Sequence, residues 1–390
     1  MRPLVAFLAL LLALTLAACG GVRSLPVLDA PAAPDFFFVS NRVIERDEPD
    51  RLRFSVRRDA AMSFGTARID NDEGRPRLQA ARDEVRFPAT PLLFTMQGGR
   101  PVTDPGQARS YEAARAKMRA SLAEALRQNG RRDILLYVHG YNSQFDDTMA
   151  TLARLWQASG ARTVPVAFGW PAGNPGAFGY FKDRESGEFS VFHLKETLRI
   201  LAGVPGLNDI HIVAHSRGSD VVTTALRELV IEARAGGDDP RQRLKVENLI
   251  LAAPDLDFSV VRQRLIAERF GPAFGRITVY INPGDSALGL AQVLLAGTRF
   301  GRISFEQLGE AEREIFGRIR NVDFINVSAV AGASSHNYFR NNPEVLRDMA
   351  HVIATGDAPG SATRNLEPDE GNFWRLVQAR PAPRIGDPDR

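Results

Sequence analysis

The stretch Ile210–Ala235, IHIVAHSRGSDVVTTALRELVIEARA, decides the fold. Its opening IHIVA is short and largely apolar, which predicts a buried strand. From Ser219 onward the apolar residues return at steps of three and four, which predicts a helix packed by one face. Between the two lies Ala214-His215-Ser216-Arg217-Gly218. A turn this tight strains its central residue and lifts that side chain off the end of the strand, and small residues two before and two after keep neighbouring backbone clear. Gly218 meets that demand, and Ala214 departs from it by a single methyl group. Ser216 is therefore a candidate nucleophile, although a plain strand-to-helix turn with a capping serine has the same outline.

Working outward, Ile134–Val138, Val164–Phe168, Val246–Ala252, Ile277–Ile281 and Phe324–Val327 are further short apolar runs. Helical spacing separates them over Val191–Leu201, over Ser219–Ala235 and after Asp285. Ala108–Gly130 predicts an amphipathic helix ahead of the series, and Asn342-Pro343 opens a last one, with proline in the first turn where its missing N–H costs nothing. Strand and helix in regular alternation predict an α/β fold, a mostly parallel central sheet flanked by helices. We expect one catalytic domain over residues 35–356, with strand character at Phe36–Val43 and Met62–Ile69, and a Pro- and charge-rich tail over 357–390.

Composition agrees with one sizeable core: 390 residues, 44% hydrophobic and 24% charged. The net charge of +3 comes without a run of five or six like charges, so nucleic acid is not an expected partner. No signal for an oligomeric state stands out.

If Ser216 attacks a carbonyl, three further parts are needed. Main-chain N–H groups must hold the oxyanion, and they come from the residue after the nucleophile and from a loop after an upstream strand. ILLYV runs into His139-Gly140-Tyr141-Asn142, which assigns the N–H groups of Tyr141 and Arg217. The base must be a histidine downstream of the serine. His336 follows the last strand directly and is the candidate; His351 sits inside the final helix pattern, and His139 is expected to anchor its own loop. The acid has two candidates. Asp285 ends the tight turn Asn282-Pro283-Gly284-Asp285 after the strand preceding the histidine strand, the usual location. Asp255, in Pro254-Asp255-Leu256-Asp257, is the alternative, and otherwise a structural carboxylate capping the segment that follows. No metal and no cofactor is expected.

The N-terminus carries a separate signal. After Met1 and Arg2 comes an apolar run from Leu4 to Leu16, too short to span a bilayer and suited to a cleaved signal peptide over residues 1–18. Leu16-Ala17-Ala18-Cys19 resembles the bacterial lipobox. That resemblance implies lipid on Cys19, the sole cysteine, a tether over residues 19–34, and a cell-envelope location on a membrane. Gly20 after the cysteine points by the same resemblance to the outer membrane of a Gram-negative host.

VHGYN (Val138–Asn142), FGWPAG (Phe168–Gly173), AHSRG and AAPDLD together resemble a bacterial esterase-like α/β-hydrolase family of unknown function. The resemblance spans roughly residues 36–355 and implies the fold and a serine-hydrolase mechanism with a Ser-His-Asp triad, but no substrate; a carboxylic ester hydrolase is the simplest expectation beside it. Residues 174–190, with Phe178, Tyr180 and Phe181, and residues 286–320, with Leu288, Leu290, Val293, Leu294 and Leu295, suit either a lid or acyl pocket above the strand ends or ordinary core-facing helices; the first would give an ester or lipid-like substrate. The rival expectation is a non-catalytic envelope lipoprotein that keeps the fold as a binding module.

Overall fold

The computed structural model describes residues 24–26, 36–48, 50–72, 75–128, 130–332 and 335–378. Cys19, the stretch expected to be a signal peptide and most of the expected tether lie outside the described residues. The chain builds a twelve-stranded sheet. Its centre is six parallel strands in the order β8 (Val164–Gly169), β7 (Ile134–Val138), β9 (Ile210–His215), β10 (Val246–Ala252), β11 (Arg276–Ile281) and β12 (Val322–Asn326). Every residue of β7 and β9 is buried, as parallel strands covered on both faces must be.

Alternate residues feed two cores. Ile134, Leu136 and Val138 face one, together with Met118, Leu122, Leu194, Leu198 and Leu226. Leu135 and Tyr137 face the other, with Met149, Leu152, Val345 and Met349. Helices α1 (Pro105–Gln128), α3 (Gly176–Ala202) and α4 (Gly218–Ala235) therefore cover one face, and α2 (Phe145–Ala158) and α7 (Pro343–Thr355) the other. Asn342 caps α7, accepting from the N–H groups of Glu344 (2.9 Å) and Val345 (3.1 Å). The fold is the α/β architecture expected from the alternation, in a single unit. Among the described residues no helix is long and apolar enough to cross a membrane.

Both edges extend further than expected. β2 (Phe36–Glu48) lies parallel to β8 and forms a long hairpin with β3 (Arg51–Asp72), whose other edge carries β4 (Arg75–Arg86) and β1 (Ser24–Pro26). β5 (Phe94–Gln97) and β6 (Arg100–Thr103) form a small separate hairpin. At the opposite edge the residues expected to be tail join the sheet. β14 (Phe373–Leu376) pairs parallel with β12, and β13 (Leu366–Pro368) pairs with β14. Phe373 stacks on Phe324 with ring centroids 4.4 Å apart, and the buried Arg364 makes a two-pronged bond to Asp348, both at 2.8 Å. The sheet thus runs past 356 to Leu376, because β12 offers an edge that a chain returning beside it satisfies.

Candidate active site

Ser216 sits at the end of β9 with φ +50°, a conformation in the left-handed region that costs a non-glycine residue about 1–3 kcal/mol. Neighbouring backbone fixes it there. Its N–H donates to Ala252 O (2.9 Å), and its own carbonyl accepts from Asp255 N (3.2 Å) and Ser219 N (3.0 Å). The close approach of two loops demands glycine at two positions. A Cβ on Gly218 would stand 2.3 Å from the carbonyl oxygen of His139, and one on Gly140 2.8 Å from Cβ of Ser216. The HGYN loop and the serine turn are packed backbone to backbone.

The serine hydroxyl lies 2.9 Å from Nε2 of His336, and Nδ1 of the same ring lies 2.7 Å from Oδ2 of Asp285. Asp285 is fully buried, and the His336 side chain is 17% exposed. Each loop has a local reason for its shape. Asn282 accepts from Gly284 N through its side-chain oxygen (3.3 Å), closing the turn that presents Asp285. Its amide nitrogen donates to the carbonyls of Gly332 (3.2 Å) and Ser335 (2.9 Å), tying that turn to the loop carrying His336. Oδ1 of Asp285 accepts from Leu288 N (3.0 Å), capping helix α5 (Ser286–Leu295), which leaves Oδ2 for the imidazole. With its far nitrogen held by a carboxylate, the imidazole presents Nε2 to the hydroxyl as an acceptor.

Asp255 does not reach His336. Its Oδ2 accepts from the Tyr180 hydroxyl (2.6 Å), its Oδ1 faces Arg299 Nη1 (3.6 Å), and Asp255 and Arg299 are both buried. Nor does it cap the following segment. That role falls to Asp257, which accepts from Ser259 N and Val260 N. Beside this cluster the Arg217 guanidinium donates to Asp255 O (3.2 Å) and pairs with Asp220.

Tyr141 follows Gly140, whose backbone packs on Ser216, and Arg217 follows the serine itself; among the described residues no hydrogen bond runs from either main-chain N–H to a protein acceptor. Residues distant in sequence hold the Tyr141 loop. Asp183 of α3 is buried and accepts from Asn142 N (2.9 Å), Gly173 N (3.0 Å), Asn174 N (3.3 Å) and Asn174 Nδ2 (2.7 Å). Burial raises its carboxyl above the ordinary range, and the four donors oppose that shift. Arg42, fully buried, donates to the carbonyls of Ala172 and Ser143, both at 2.8 Å. Desolvation lowers its guanidinium to about 10, partly offset by Asp183. Burial, then Asp183, raise the Tyr141 phenol to about 12, so it stays protonated and donates to Gly176 O (2.9 Å). None of these long-range contacts was legible in the sequence beforehand: nothing local marks Asp183, Arg42 or Arg299, and Tyr180, which the sequence offered to a lid or pocket, is instead buried against Asp255.

His139 stacks on Trp170 (ring centroids 5.0 Å apart), and Trp170 Nε1 donates to His139 O (2.8 Å). Burial and then Arg42 push its imidazole well below the ordinary histidine range. His215 is buried beside His336, and neither of its ring nitrogens has a hydrogen-bond partner among the described residues. Burial, then His336, drive it far below its ordinary value. His351 bonds Asp357 Oδ2 (2.8 Å), away from the serine. His211 and His215 stand four apart in sequence, yet on a strand that separates them by about 13 Å, and His211 Nδ1 meets Asn248 Nδ2 at 2.9 Å. Among the described residues no group of three or more His, Cys, Asp or Glu is disposed to hold a metal ion.

Two apolar segments border the site. Helix α3 exposes Phe178 and Phe181 while burying Tyr180 against Asp255, and α5 exposes Leu290, Val293 and Leu294 while burying Leu288.

A mostly parallel sheet with a serine turn after β9, a carboxylate after β11 and a histidine after β12 defines an α/β-hydrolase. The chain belongs to the family described as alpha/beta hydrolase of unknown function (DUF900), whose model matches residues 114–355. A search of curated proteins returned no match. Similar solved structures include a predicted CIB-like hydrolase from Thermoplasma acidophilum, at 13% identity and TM-score 0.35, covering 74% of this chain and 98% of that one. A Pyrobaculum calidifontis esterase is similar at 13% identity and TM-score 0.31, covering 58% and 77%. Est1E from Butyrivibrio proteoclasticus, solved with ferulic acid bound, is similar at 13% identity and TM-score 0.32, covering 58% and 91%.

Proposed function

We propose that this protein is a serine hydrolase that cleaves carboxylic esters through an acyl-enzyme on Ser216. The observation that carries the reading is the continuous relay from Ser216 Oγ through His336 to the buried Asp285, at 2.9 and 2.7 Å, built on a strained turn. His336 takes the hydroxyl proton as Ser216 Oγ bonds to the carbonyl carbon, and Asp285 stabilises the imidazolium that results. The N–H groups of Tyr141 and Arg217 receive the oxyanion. Collapse of the tetrahedral intermediate expels the alcohol, which takes its proton from His336. Water, deprotonated by the same ring, then releases the acid and restores the serine.

The apolar flanks at Phe178, Phe181, Leu290 and Val293 favour an ester with a lipid-like acyl group. The lipobox-like run ending at Cys19 supports a lipid-anchored enzyme at the cell envelope, most simply at an outer membrane facing the periplasm. The test is hydrolysis of p-nitrophenyl esters of increasing chain length by soluble protein beginning at residue 20. Turnover that rises with acyl length is expected; folded protein without turnover at any length overturns the reading. Loss of labelled palmitate incorporation on Cys19→Ser tests the anchor in the same way.

A further inference from the structure

A cleft of about 710 Å³ lies against the sheet away from the triad. Its floor includes Leu251 of β10, Val279 of β11 and Phe324 of β12, all on one face of the sheet. One wall is the segment 258–273, which contributes Ile266 and Phe270 and contains a π turn over Arg262–Ile266. Such turns are rare and concentrate at functional sites. The other wall is helix α6 (Glu310–Arg318), with Phe316 turned inward. Neither Ser216, His336, Asp285 nor Asp255 lines the cleft.

The cleft is open to solvent along its margin, and its depth is lined by side chains of the sheet's own core. Ordered water needs two to four polar partners, and the floor offers only hydrocarbon. Polar groups are confined to the flanking segments, where Arg262, Arg269 and Arg318 outnumber the one carboxylate, Glu312. Arg262 Nε pairs with Glu312 across the two walls at 2.6 Å, and Arg318 pairs with Glu314. Arg269 has no ion-pair partner among the described residues, and it is exposed. Apolar depth under a cationic margin is complementary to a molecule with one hydrocarbon chain and one anionic head.

We propose that this cleft is a second, non-catalytic binding site for a single-chain anionic amphiphile of the long-chain fatty acid class. The chain lies along β10–β12, the carboxylate meets Arg269, and the Arg262–Glu312 pair joins the two walls across the bound chain. The site stands independently of the hydrolase reading; where that reading holds, the acid it releases belongs to the same chemical class.

The experiment is fluorescence titration of the folded protein with cis-parinaric acid. Ser216→Ala and protein pre-treated with a fluorophosphonate are expected to bind one equivalent with the affinity of the untreated wild type. Ile315→Trp, which fills the cleft from a partly exposed wall position, and Arg269→Glu are each expected to weaken binding at least tenfold with an unchanged melting temperature. The corresponding fatty alcohol is expected to compete at least tenfold less well than the acid. Absence of saturable binding, or binding that survives both cleft variants, overturns the proposal. So does binding blocked by the fluorophosphonate, which would assign it to Ser216 instead. Failure of the fluorophosphonate to label Ser216 overturns the hydrolase reading and leaves the cleft titration to be judged by its own variants.

Discussion

The loops after β10 and β11 are neighbours in the sheet, and each presents a buried aspartate at a strand end. They serve different chemistry. Asp285 gives one oxygen to a helix N-terminus and the other to His336, so its charge is directed at a ring that must become cationic during a reaction. Asp255 gives one oxygen to Tyr180 and faces Arg299 with the other, so its charge is matched within a permanent cluster. Identical residue types on adjacent strands are separated by what approaches them from elsewhere in the chain: the loop bearing His336 in one case, helix α3 and the Arg299 loop in the other. Strand order alone does not decide which carboxylate serves a histidine.

Substitutions break that comparison along its line of division. Asp285→Asn is expected to lower kcat for ester hydrolysis about 10⁴-fold with little change in KM, because the imidazole loses both its orientation and its counter-charge. Equal losses from Asp285→Asn and Asp255→Asn would contradict the division of roles. Asp183→Ala removes the acceptor of four donors that shape the loop carrying the Tyr141 N–H. The expected loss is about 10²-fold in kcat, which distinguishes misplacement of the oxyanion loop from loss of the relay itself. Asp255→Asn is expected to change kcat by less than about tenfold while destabilising the fold by about 1–3 kcal/mol in urea titrations, since a buried, hydrogen-bonded carboxylate is lost beside Arg299, which keeps Asp257 and the carbonyls of Ala296 and Gly297. A stable Asp255→Asn protein would mean that the cluster is not an ion pair in any energetic sense.

The smallest effect concerns pH. His139 and His215 are held below the ordinary histidine value by burial. The unfolded chain therefore binds protons that the folded one refuses. Their contribution to stability is complete above the unfolded value near pH 6.5 and falls as pH drops toward their lower folded values, with a slope of at most about 1.4 kcal/mol per pH unit for each ring. Urea midpoints measured from pH 7.5 to pH 5 should fall, and His215→Gln should flatten part of that decline. A midpoint that rises on acidification would contradict the burial of these rings.

What was legible in the sequence follows the same division between local and distant causes. β7 and β9–β11 were readable to within a residue because parallel strands buried on both faces must be short apolar runs. Ser216 and its turn were readable because strand, strained turn and helix are consecutive. His336 followed from its place after β12, the last of the short apolar runs. β4 was not readable: its alternation, with Pro76, Leu78 and Ala80 buried between Arg75, Arg77 and Gln79, is only half apolar and breaks at Arg82, Asp83 and Glu84, and β3 supplies the reason it is a strand at all. Phe373–Leu376 looked like part of a tail because four residues carry no period, and only the edge of β12 makes them a strand. Asp183 and Arg42 act across 41 and 130 residues of chain, and no local pattern announces such partners. For the same reason the choice between Asp285 and Asp255 stayed open in the sequence.

The central claim is that Ser216 is a nucleophile activated by His336. The most direct measurement is covalent labelling of the purified protein with a fluorophosphonate, read as a single adduct by intact-protein mass spectrometry and located by peptide mapping. One adduct on Ser216, absent from Ser216→Ala and strongly slowed in His336→Ala, is the expected result. No labelling of folded wild-type protein, or equal labelling of wild type and Ser216→Ala, would contradict the account and leave the fold as a binding module.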